Sequence, residues 1–216
     1  DLIQIYNAYN ERDEASYLVE QIRKWVENGG KRSDAAVLYR SNAQSRVIEE
    51  ALLQAAMPYR VYGGLRFFER AEIKDVLSYL RLVSNRLDDA AFERIVNTPT
   101  RGIGAATLTQ LRQYARERGI SMWHSAIEML NAKTFAARAG NALAAFLTLI
   151  DSLTPEQEGV MSLNEITQLV IDESGLKAHF AKDKTEKGQG RIDNLDELIS
   201  ATKQFHKPEE AEDMSD

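Results

Sequence analysis

The stretch "AAVLYRSNAQSRVIEEALLQAAMPYRVYGG", Ala35 to Gly64, decides the fold class. "AAVLYR" is a short apolar run with the character of a strand buried on both faces, as in a parallel sheet. Ser41 or Asn42 then caps a helix whose apolar face carries Val47, Ala51, Leu52 and Ala55. "YRVYGG" reads as another short strand, closed by two glycines. Upstream, "LIQIYNAYN" (Leu2–Asn10) alternates apolar and polar residues like a half-buried strand. A helix follows, with Ala15, Leu18, Val19, Ile22 and Val26 on one face, ending near Asn28-Gly29-Gly30. Strand, helix, strand, helix, strand is the order of a doubly wound sheet. Three strands leave an apolar sheet edge unpaired, a route to self-association. Such a sheet is incomplete, and the chain opens on Asp1 rather than Met. A piece of a longer protein is therefore expected.

Past Gly64 the strand signals stop. Helical spacing runs through Ile73, Val76, Leu77, Leu80 and Val83, then over Asp88–Val96, Ala105–Arg118, Met122–Leu130 and Phe135–Leu153. Ser162 and Glu165 have capping-box spacing, and a last helix fits Ile192–Phe205. The expected fold class is α/β plus all-α: a partial parallel sheet, then a mainly helical subdomain. Residues 1–64 form the α/β piece, 65–207 the helical piece, and 208–216 an acidic, disordered tail.

Across 216 residues the net charge is -6, but it is unevenly spread. From Tyr59 to Arg118 eleven Lys/Arg stand against seven Asp/Glu, whereas from Asp151 to Asp216 seven stand against sixteen. A local basic patch matters more to a polyanion than the sum does. There is no cysteine, which excludes disulfides and thiolate metal sites, and the three histidines are far apart in sequence. No apolar run is long enough to span a bilayer and no secretory signal opens the chain, so no membrane partner is expected.

The basic region contains "TPTRGIGAATLTQLRQYA" (Thr98–Ala115), in which Arg101-Gly102-Ile103-Gly104 opens a helix. A helix, a short turn and Gly-Ile-Gly before a second helix make a helix-hairpin-helix-like element. Glycines allow close backbone approach, and the free N–H groups of the new helix favour an anion. Ile103 packs the hairpin, while Arg101 and Thr107 can reach phosphate oxygens. A tight interhelical turn needing glycine is the competing reading. "LYRSNAQSR" puts Arg40, Ser41 and Asn42 where open α/β sheets bind ligands, although simple capping by Ser41 also explains it. In "YGGLRFFER", Arg66 and Arg70 flank Phe67-Phe68, which either stack bases or fill the core. Lys74 and Arg81, seven apart, share a helical face and could extend a phosphate track. Phosphate-loop, nucleophile-elbow and zinc-protease motifs are missing, so no catalytic residue is expected in this chain and no cofactor.

"AVLYRSNAQSRVIEEALLQAAMPYRVYGGLRFFERAEIKDVLSYLRLV" followed by "FERIVNTPTRGIGAATL" closely resembles the UvrD-type DNA helicases of superfamily 1, the group with Rep and PcrA. "KGQGRIDNLDELISATKQF" extends the likeness. The resemblance implies ATP-driven motors that translocate 3′ to 5′ and unwind DNA in excision and mismatch repair. Residues 1–64 would then be part of the second RecA-like subdomain (2A), and the helical remainder the first part of its insertion (2B). Arg40, Ser41 and Asn42 would face single-stranded DNA. Lys74, Arg81 and the hairpin, from Arg101 through Gly102, Ile103 and Gly104 to Thr107, would hold the duplex. ATP and Mg would bind elsewhere in the parent, since the Walker and arginine-finger motifs lie outside this chain, which alone should not hydrolyse ATP. The parent would act in the bacterial cytoplasm, at the nucleoid, with repair proteins as possible partners. A regulatory protein-docking module and a stand-alone helix-hairpin-helix DNA-binding protein are the alternatives.

Overall fold

The structure, a computed structural model, describes residues 3–61, 65–154 and 161–203. Two compact units divide the chain, Asp1–Arg70 and Ala71–Asp216.

In the first unit, helix α1 (Glu11–Glu27) packs on α2 (Ser45–Gln54). Asn10 starts α1 by accepting the Asp13 N–H on its side chain, with Glu11, Asp13 and Glu14 in the first turn. Val19, Leu52 and Met57 form the core of this unit, flanked by Ile22, Ile48, Ala51, Ala55 and Tyr59.

The expected partial parallel sheet is not there. Among the described residues no strand occurs, and the fold is helical throughout. Residues 3–8 and 35–39 are irregular, and their apolar side chains face outward: Ile5 and Leu38 are each 95% exposed. Tyr59–Val61 are irregular too, and the rest of "YRVYGG" lies outside the described residues. The reason is physical. Apolar alternation records which side chains want burial, whereas a strand exists only when a neighbour completes its hydrogen-bond ladder. Here the helices satisfy their apolar faces against each other, and the extended segments satisfy neither ladder nor core.

The second unit is built around α3 (Ala71–Ser84), whose Ile73, Val76, Tyr79 and Leu82 are fully buried. Against it pack α4 (Asp89–Ile95), α7 (Ala137–Ser152), α8 (Leu163–Glu173) and α10 (Glu186–Lys203). Helix α5 (Ala105–Arg118) pairs with α6 (Met122–Asn131). Phe92 of α4 meets Phe146 of α7 edge-on, ring centres 5.5 Å apart. Polar contacts link neighbouring helices: buried Asn194 donates to Glu72 at 2.6 Å, and exposed Arg94 pairs with Asp75 at 2.9 Å. Burial pushes the Asp75 carboxyl up, and Arg94 opposes that shift. At the start of α8 the Ser162 N–H donates to Glu165, the capping box expected from their spacing.

Two features of the C-terminal half differ from the sequence expectation. A short helix α9 (Leu176–Phe180) intervenes, and α10 begins at Glu186 rather than Ile192. Glycine is a poor helix former, yet Gly188 lies inside α10 and is buried. A Cβ there would lie 2.0 Å from the Asp183 carbonyl oxygen, so the position requires glycine. The expected acidic tail lies outside the described residues. No helix among the described residues is long and apolar enough to cross a membrane.

Replacing Phe92 by Ala should remove its contact with Phe146 and lower stability by about 3–5 kcal/mol, read from the urea midpoint of the helical unit. Burial raises the Tyr79 phenol to about 12, with Arg101 opposing the shift, and its hydroxyl donates to the Thr98 carbonyl at 2.7 Å. Folding therefore favours the protonated phenol, a contribution fully present below the ordinary tyrosine pKa and lost as pH rises toward 12. Tyr79→Phe should shrink the alkaline loss of thermal stability. It should also cost about 1–2 kcal/mol at neutral pH through the unsatisfied carbonyl.

Candidate nucleic-acid interface

Residues 96–104 join α4 to α5, and a small set of side chains shapes them from beneath. The Asn97 side-chain oxygen accepts the N–H of Arg101 at 2.8 Å and of Ile103 at 3.2 Å. Ile103 is buried and anchors the loop in the core. Between them Gly102 has φ +85°, a conformation that L side chains rarely adopt. The Arg101 guanidinium points inward. It donates to the carbonyls of Ile95, Pro99 and Ser174 and to the Tyr79 hydroxyl, at 2.5–3.2 Å. Arg101 thus supports the loop, with both terminal nitrogens engaged.

Gly104 is the N-cap of α5 and supplies no side-chain cap. Leu108 N–H makes the bond to the Gly104 carbonyl, so the N–H groups of Ala105, Ala106 and Thr107 precede the first turn's bonds. Gly102, Gly104, Ala105 and Ala106 are exposed, and a Cβ on Gly104 would meet no atom within 4 Å. Thr107 is buried. The result is a smooth, uncapped start to a helix of 14 residues, with a partial positive charge at its tip.

The cations of this unit are engaged to different degrees. Lys74 is exposed on α3. Arg81 is also exposed but bonded to Asp88 at 2.6 and 2.8 Å. The Ala91 N–H, ahead of Arg81, holds the Asp88 carboxyl below its ordinary range, since Asp88 also caps α4. Arg94 is paired with Asp75, and Arg112 with Glu93. Arg116 is exposed. Arg138, at the start of α7, was not singled out from sequence. Its Nε lies 4.0 Å from where a Cβ on Gly102 would stand. Nothing local marks Arg138, because thirty-six positions of chain separate it from the glycine. Asn97 was missed as well, although an amide at a helix end before a tight loop is a recognisable signal.

In the first unit Arg40 is exposed, and the Arg40 and Ser41 N–H groups donate to Gln44. Ser41 forms a capping box with Gln44, and the Asn42 carbonyl accepts from buried Arg70. Arg70 also donates to Ser45 and lies over the Phe67 ring. Phe67 is core, whereas Phe68 is half exposed. Arg66 lies over Tyr59, whose hydroxyl donates to Glu49. Among the described residues no three His, Asp or Glu gather as a metal site. What the hairpin offers is backbone donors and a dipole for an anion, without side-chain chemistry.

All of the chain, residues 1–216, matches the family of the UvrD-like helicase C-terminal domain. Similar proteins include "DNA helicase II" of Escherichia coli (strain K12), 57% identical over 98% of this chain and 29% of that protein. "DNA helicase II" of Haemophilus influenzae is 54% identical over 100% of this chain and 30% of its own length. "ATP-dependent DNA helicase PcrA" of Bacillus subtilis is 41% identical over 96% of this chain and 28% of its own. This chain spans less than a third of the length of these relatives. By its sequence along the whole length, the chain belongs to the UvrD-like helicase C-terminal domain family.

Proposed function

We propose that this chain is the DNA-engaging part of an ATP-dependent 3′–5′ DNA helicase acting in excision and mismatch repair. ATP and Mg bind elsewhere in the whole protein, which works on bacterial nucleoid DNA in the cytoplasm together with repair proteins. The first unit belongs with motor subdomain 2A and the second with its helical insertion 2B. Within the chain, the hairpin grips duplex DNA by its phosphate backbone, and Arg40 with Asn42 contacts single-stranded DNA.

One observation carries the duplex reading: the α5 start is uncapped and open at Gly104, while Asn97 and Ile103 hold the loop from the other side. Donors so fixed read backbone shape rather than base sequence. Lys74, Arg81 and Arg138 supply the surrounding charge. Arg101 contributes by holding the loop, since both terminal nitrogens are already engaged. Thr107 contributes its backbone N–H.

Fluorescence anisotropy with a short duplex, titrated against salt, tests this. Affinity should fall linearly with log salt. Gly104→Val enters open space, so helical content should be unchanged, while a side chain in front of the free N–H groups should weaken binding about tenfold or more. Equal binding by Gly104→Val and wild type would make the hairpin only a turn. Asp88→Asn keeps a good N-cap but removes the charge that holds Arg81, and should tighten duplex binding at low salt. Asp88→Ala should instead lose about 1 kcal/mol of stability with the cap, and unchanged affinity in the Asn variant would exclude Arg81 from the interface.

A further inference from the structure

The acidic second half contains one segment of opposite sign. From Lys177 to Arg191 five Lys/Arg stand against two Asp/Glu. Its charges are engaged to different degrees. The Asp183 carboxylate is occupied by Thr185, accepting its hydroxyl at 2.6 Å and its N–H at 3.1 Å. Thr185, ahead of nearby Arg191 and Lys187, holds that carboxyl below its ordinary range. Gly188, seated against the Asp183 carbonyl, fixes this turn to the start of α10. Lys177 is committed to Asp196 at 2.7 Å, and Arg191 lies over the Phe180 ring. Lys182, Lys184 and Lys187 are all exposed.

This segment is physically attached to the hairpin. Arg101 donates to the Ser174 carbonyl at 3.0 Å, and a Cβ on Gly175 would lie 3.9 Å from the Pro99 ring. From that turn the five residues of α9 and Ala181 lead to Lys182, an advance of about 9 Å at helical rise. A duplex presents a phosphate charge about every 1.7 Å of its axis, so a duplex held at the hairpin carries further phosphates over the range that these lysines could reach.

We propose that Lys182, Lys184 and Lys187 form a second contact for the backbone of duplex DNA, tied to the hairpin through the Arg101–Ser174 bond. The proposal builds on the hairpin's reading as a duplex grip, but its lysines are separate from it. Sequence-independent charge neutralisation is its whole chemistry, so it contributes to affinity and salt dependence and not to base choice.

The test is the salt titration repeated on the whole chain carrying Lys182→Gln, Lys184→Gln and Lys187→Gln, beside Gly104→Val. A mass-spectrometric map of lysine acetylation with and without a duplex accompanies it. The triple variant should flatten the slope of log affinity against log salt by about 2–3, near 0.9 for each phosphate that is no longer neutralised. In wild type the three lysines should be protected from acetylation by the duplex. A triple variant with unchanged slope, or lysines equally acetylated in the complex, overturns this proposal and leaves the hairpin reading intact. A weakened triple variant beside an unaffected Gly104→Val overturns the hairpin reading and keeps the lysines. No salt-dependent binding by the wild-type chain overturns both.

Discussion

One guanidinium organises the helical unit. Arg101 reaches the last turn of α4 through the Ile95 carbonyl, its own loop through Pro99, α3 through Tyr79, and the α8–α9 turn through Ser174. Its plane also lies 5.5 Å from the Phe146 ring of α7. Arginine suits this position because its fork of five donors can satisfy several carbonyls at once without a carboxylate. Part-buried carbonyls of three segments thereby gain a donor, and four elements are linked through one side chain. The exposed glycines of the hairpin depend on that arrangement, since they have no side chains of their own to hold them.

The helices of the second unit were legible because each carries a full local code. Ile73, Val76, Leu80 and Val83 give α3 its period, Asp88 caps α4, and Ser162 with Glu165 opens α8. The sheet was not legible, because strand pairing is a long-range condition and "AAVLYR" states only an appetite for burial. Leu38 displays that appetite unmet. Likewise the apolar period alone starts α10 at Ile192, whereas the helix begins at Glu186 and includes Gly188 and Gly190 despite their low helix propensity.

At the hairpin the sequence marks the glycine loop but not the side chains that hold it from within. Arg101 looks like a phosphate ligand when read along the chain, because its partners Tyr79 and Ser174 are remote in sequence. The reverse holds for Arg138, which has no signal until α7 is folded beside Gly102. Ser41 shows the same ambiguity resolved locally: its hydroxyl belongs to a capping box with Gln44, whereas the side chains of Arg40 and Asn42 are exposed.

The uncapped start of α5 has a further consequence. Serine or aspartate at position 104 would suit an isolated helix slightly better, because its oxygen would accept the first free N–H groups, whereas glycine gives up only a few tenths of a kcal/mol. Any such side chain would occupy the same donors that an approaching anion needs. Helix stability and anion capture would therefore compete for the same amides at this position, and glycine leaves those amides uncapped.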